Sequence, residues 1–152
     1  MKKLIALALI ACLMLVGCAG GPAKSADLAA VQAALAEQYD LEGMMALSED
    51  DLLDMYGIGI DDVKQYVALI AKTSTSADEI LLFEAKDKDA AARLKAQLDK
   101  RYQAKLNEAK DYLPDEYAKI SACKVAGSGN FVSLIVSADA EAMTKVYQDA
   151  FK

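Results

Sequence analysis

The stretch that most limits what this chain can become is residues 88–112, which hold no Gly and no Pro and are rich in Ala, Lys, Leu and Gln. Leu94, Leu98, Tyr102, Leu106 and Ala109 recur on one face at helical spacing, which predicts one long amphipathic helix packed across a sheet. Segments on either side of it have strand character. Residues 66–72 and 80–85 are apolar and β-prone, and the short polar connection between them predicts an antiparallel hairpin. Leu113-Pro114 stops the long helix, because proline disfavours helical geometry in the residue before it. Residues 120–126 and 131–136 then read as a second hairpin around Gly127-Ser128-Gly129-Asn130.

Helices are expected at both ends of this arrangement. One begins at Asp27 with Leu28, Val31, Leu35 and Tyr39 on its apolar stripe. A second is capped by Ser48, carries Glu49, Asp50 and Asp51 in its first turn and ends at Gly57. Asp61 and Asp62 begin a single turn before the first strand. A last helix over residues 140–151, capped by Ser137 or Asp139, points Met143, Val146, Tyr147 and Ala150 inward. The order α-α-β-β-α-β-β-α predicts an α+β fold, a two-layer sandwich of a four-stranded, mainly antiparallel sheet with its helices on one face.

The first residues belong to none of these elements. Lys2 and Lys3 precede an unbroken apolar run over residues 4–16, which closes on Gly17, Cys18 and Ala19. A cationic start, an apolar middle and a small-residue end make a signal peptide. Thirteen apolar residues fall short of the roughly 20 that a membrane-spanning helix needs. Leu15-Val16-Gly17-Cys18 resembles the lipobox of bacterial lipoproteins. That resemblance implies acyl (palmitate-type) modification of Cys18, cleavage before it, and retention on the extracytoplasmic face of the cell membrane. Two acyl chains anchor a protein stably where one does not. The expected organisation is a cleaved segment 1–17, a lipidated Cys18 with a flexible spacer over 18–26, and one domain over 27–152.

Removing 17 of the 152 residues leaves 135, a usual length for one domain. Two of the 17 basic residues and none of the 23 acidic ones leave with the signal, so the remainder holds 15 against 23, a net charge of −8. That balance argues against nucleic acid or an anionic bilayer surface as partners, since both need basic patches. Cys12 departs and Cys18 is committed to lipid, so Cys123 stands alone, read as a small buried strand residue. The chain has no His, which removes the usual partner of a catalytic thiol.

Other chemistry is sparse. The acids at 49–51 lack the alternating oxygen ligands and turn glycine of a calcium loop. No zinc or iron ligand set has the right spacing, and no metal or cofactor is expected. Paired carboxylates can support hydrolysis, and the candidates are Asp78 with Glu79 and Asp115 with Glu116.

Four segments carry a wider likeness: Tyr56-Gly57-Ile58; Ser76-Ala77-Asp78-Glu79 opening a strand; Leu113-Pro114 with Tyr117 after a long charged helix; and Gly129-Asn130-Phe131 in the last hairpin. In their order and spacing, with the lipobox, they resemble a family of small lipoproteins from Gram-positive, clostridial-type anaerobes that share a domain of unknown function, DUF4358-like. The resemblance implies a fold and a location and supplies no catalytic residues. The resulting expectation is a non-enzymatic binding or interaction module facing another envelope protein or a small ligand, with Tyr56, Tyr66, Tyr112 and Tyr117 as contact aromatics. The alternative is a His-independent hydrolase or an accessory subunit of a cell-wall enzyme.

Overall fold

The computed structural model describes residues 25–151. The expected signal peptide, the lipobox residues Leu15, Val16 and Gly17, and Cys18 itself lie outside the described residues.

The elements run α1 (Leu28–Gln38), β1 (Met44–Ala46), α2 (Glu49–Tyr56), a 3₁₀ turn (Ile60–Asp62), β2 (Val63–Ala71), β3 (Glu79–Ala85), α3 (Lys88–Tyr112), α4 (Pro114–Ser121), β4 (Ala126–Ser128), β5 (Phe131–Val136) and α5 (Ala140–Asp149). Their ends follow from local chemistry. Asp27 caps α1 by accepting from the amides of Ala29 and Ala30, and Ser48 and Asp51 form a reciprocal capping box at the start of α2. Gly57 closes α2 at φ 65°, a left-handed conformation that favours glycine. Asp87 caps α3, and Pro114 occupies the first turn of α4, where its missing N–H costs nothing.

The strands form one antiparallel sheet in the order β1-β2-β3-β5-β4. This is an α+β fold with five strands, not the expected four. The additional strand is β1, whose Met44, Met45 and Ala46 pair with Ala71, Ile70 and Leu69. The expected strand over 120–126 is also corrected: Ile120 belongs to α4, and pairing begins at Ala126. Ile120 and Cys123 are the buried residues there, and their i, i+3 spacing suits the last turn of a helix and its exit. Cys123 is buried, but its thiol donates to the Lys119 carbonyl at 3.2 Å beside a helix end instead of standing in a strand.

The helices cover both faces of the sheet, so the expected two-layer sandwich is replaced by three layers. On one face Leu81, Phe83, Val132, Leu134 and Val136 pack with α2, α3 and α4 through Leu52, Leu94, Leu98 and Ile120. On the other, Val67, Leu69, Ile80, Leu82 and Ile135 pack with α1 and α5 through Leu28, Val31, Leu35, Met143 and Tyr147. Every residue of β3 and β5 is buried. Strands covered on two sides read as continuous apolar runs, and Ile80-Leu81-Leu82-Phe83 is one.

Gln65 shares the α1 face of β2 with Val67 and Leu69, and the irregularity in the β2–β3 pairing falls just before it, between Val63 and Gln65. There its amide oxygen accepts from Leu28 N at 2.9 Å, and its amide nitrogen donates to the Ala26 carbonyl at 2.8 Å and to Glu84. Lys64 pairs with the same Glu84 at 2.6 Å. This polar clamp fixes the point at which the chain enters the fold.

Candidate functional site

Glu79 opens β3 on the α3 side of the sheet and is fully buried, at 0% exposure. A carboxylate taken out of water costs several kcal/mol unless charges and donors meet it. Its Oε1 accepts from the Tyr56 hydroxyl and from Arg101 Nε at 3.2 Å. The Arg101 guanidinium lies 5.0 Å from the centre of the Tyr56 ring, within reach of a cation–π contact. Lys105 Nζ stands 3.3 Å from Oε2, an ion pair whose geometry leaves that oxygen without a hydrogen bond.

Arg101 and Lys105 come from successive turns of α3 and reach Glu79 together because they share its inner face. Lys105 is 8% exposed. Burial pulls its ammonium below the usual lysine range against the opposing pull of Glu79. Burial pushes the Tyr56 hydroxyl far above the ordinary tyrosine range, reinforced by the charge of Glu79, so Tyr56 stays a neutral donor. For Arg101, burial opposes the charge, but the Glu79 carboxylate outweighs it and the guanidinium holds its proton more firmly.

A second ionic group borders this one. Lys119 on α4 pairs with Asp78 at 2.6 Å and Glu116 at 2.8 Å, and Glu116 also accepts from the Ala77 amide at 2.6 Å. Burial works against the Lys119 charge, but its hydrogen bonds to the two carboxylates raise its pKa. Burial likewise opposes ionisation of Glu116, yet Lys119 and the Ala77 amide hold it below the ordinary carboxylate value. These bonds pin the β2–β3 connection onto α4. Between that connection and α3 lies a groove of about 360 Å³ whose walls include Thr73, Ser76, Asp78, Arg101, Lys105 and Glu108.

The tyrosines named from sequence go to different places. Tyr56 is buried in the Glu79 cluster. Tyr66 is half-buried and stacks on Phe83 with ring centres 6.1 Å apart. Tyr112 and Tyr117 stand exposed at the α3–α4 corner, Tyr112 at 83%. Of the candidate carboxylates, Glu79, Asp78 and Glu116 each meet a cation, while Asp115 is exposed in the first turn of α4. Among the described residues no group of three or more His, Cys, Asp or Glu side chains is placed to hold a metal ion.

The sequence expectations leave out Arg101 and Lys105, although the chain carries a signal for them. Leu94, Leu98, Arg101, Lys105 and Ala109 are spaced 4, 3, 4 and 4 residues apart, so the two cations continue the stripe that the leucines begin.

Fold and site together define an α+β domain with a three-layer arrangement and a buried carboxylate–cation cluster beside an open groove of mixed lining. The chain belongs to the family of the domain of unknown function DUF4358, whose model matches residues 37–137. No curated protein and no solved structure matches it.

Proposed function

We propose that the protein is a non-enzymatic binding module of the cell envelope, anchored on the extracytoplasmic face by lipid on Cys18, which takes a small ligand in the groove beside Glu79, Arg101 and Lys105. The observation that carries the binding half is the buried ionic cluster. Well-packed apolar side chains at such positions are often as stabilising as an ion network or more so, and the groove gives two of the charged groups access to a ligand. The anchoring half rests on Lys2, Lys3, the apolar run over 4–16 and the lipobox ending at Cys18.

The hydrolase alternative has less support. Glu79 is held by Tyr56, Arg101 and Lys105, and Asp78 and Glu116 by Lys119. Carboxylates neutralised in this way lack the divided acid and base roles that hydrolysis asks of a pair.

Metabolic labelling with a palmitate analogue, followed by membrane fractionation, tests the anchor. Wild-type protein should carry label and sediment with membranes, and Cys18→Ala should be unlabelled and released. An unlabelled wild type that fractionates like the variant rules the anchor out.

A further inference from the structure

We propose that the groove binds the carboxylate end of a small zwitterionic ligand, an amino acid or a short peptide, with Arg101 and Lys105 taking the carboxylate and the exposed Glu108 facing the ammonium. This deepens the binding-module reading and rests on it.

The argument begins with charge. Arg101 and Lys105, which line the groove, share one buried carboxylate behind it, Glu79, so this cluster carries one more positive than negative charge in a chain whose net charge is −6. The outlying acids do not cancel that surplus at contact range. Asp78 is engaged by Lys119 at 2.6 Å. Glu108 is exposed, one turn beyond Lys105, and both cations feel its field without forming an ion pair with it.

Donor geometry points the same way. Glu79 occupies Arg101 Nε, whereas Lys105 makes an ion pair that is not a hydrogen bond. An ammonium presents three donors and a guanidinium five, so the pair keeps donors for the two oxygens of an incoming carboxylate. Burial makes the Lys105 charge costly, and a ligand carboxylate offsets that cost.

The rim decides which anion fits. Glu108, exposed at the rim and without an ion-pair partner among the described residues, repels a dianion and attracts an ammonium, which selects a zwitterion over phosphate. A volume of about 360 Å³ lies at the small end of ligand sites, and the hydroxyls of Thr73, Ser74 and Ser76 on the β2–β3 side suit a peptide-like polar backbone.

The test is an NMR titration of the full lipidated protein in non-ionic detergent, following the amides of residues 73–78 and 101–108. The probes are acetate, trialanine, trialanine C-terminal amide and inorganic phosphate. Trialanine should shift these amides with a dissociation constant on the order of 1 mM, and the C-terminal amide should bind at least about tenfold more weakly. Lys105→Met, which keeps the aliphatic stem, should abolish the response to trialanine. Glu108 is exposed, so Glu108→Gln should leave the fold intact; it should weaken trialanine roughly two- to fivefold and leave acetate as tight or tighter. That variant keeps the test decisive if Lys105→Met does not fold.

Equal binding of trialanine and its amide, tighter binding of phosphate, or no shift in these amides with any probe overturns the proposal. Loss of lipid labelling with trialanine binding intact would count against the anchored-module reading and spare the site. Labelled, membrane-bound protein that ignores every probe would count against the site alone.

Discussion

At the scale of single residues, Glu79 is where the fold takes its largest electrostatic risk, since a 0%-exposed carboxylate depends on Tyr56, Arg101 and Lys105. Glu79→Gln removes the anion and leaves two cations facing an amide, and deleting one member of a buried ionic group costs about 3 to 5 kcal/mol. Tyr56→Phe removes one donor and keeps both cations, with an expected cost of about 1 to 2 kcal/mol. Urea unfolding of the two variants should therefore rank Glu79→Gln as the more destabilised; the reverse order would mean that the hydroxyl, and not the charge, organises the cluster. The sequence marked Glu79 as a carboxylate of interest but hid its role, because its partners come from positions 23, 22 and 26 residues away. Lys105 is disguised further, since a charged residue on a lysine-rich helix reads as solvated unless its place on the apolar stripe is counted.

Among the elements, those with strong local signals were the most legible. The long helix spans residues 88–112 as expected, because its unbroken helix-forming composition and the proline after it are local signals; Asp87 caps its start. The three residues of β1 are too few to show a period, and they are a strand because β2 offers them an edge. The misread run over 120–126 shows the opposite limit, a short apolar segment that fits helix or strand equally until its neighbours decide. Gly57 tests how much a local signal contributes. At φ 65° an added Cβ would meet the Gln97 side chain at 3.6 Å, ordinary contact, so Gly57→Ala should act through backbone strain alone. The left-handed conformation costs a residue with a Cβ about 1 to 2 kcal/mol, whereas Gly43→Ala, with open space around it and no positive φ, should show no such strain. Thermal unfolding of the two variants separates these outcomes, and equal melting temperatures would mean that the α2 C-terminus relaxes to another conformation.

For the whole molecule, the consequential feature is that the family match and the physical fold have different edges. Residues 37–137 include the sheet and the α2–α4 layer, but almost all of α1 (Leu28–Gln38) and the whole of α5 (Ala140–Asp149) fall outside. Those two helices cover the second face, where Val67, Leu69, Ile80, Leu82, Phe131 and Ile135 are all buried. Fully burying a side chain of this kind contributes about 1.5 to 3 kcal/mol, so uncovering that face removes an amount comparable to the roughly 5 to 15 kcal/mol by which domains are stable. The one-layer expectation follows the order of the elements, whereas the continuous apolar run Ile80-Leu81-Leu82-Phe83, whose residues alternate between the two faces, already signals burial on both. The distinction has a measurable consequence. A fragment of residues 37–137 should fail to form a stable monomer, either remaining unfolded by circular dichroism or self-associating in size-exclusion chromatography through its bare face, which would be apolar and far larger than a monomer tolerates. A chain of residues 25–152 should be monomeric and unfold cooperatively. A fragment that stayed monomeric with the melting temperature of the longer chain would show that α1 and α5 are ornaments on a fold closed by one layer, and the three-layer account of stability would have to be abandoned.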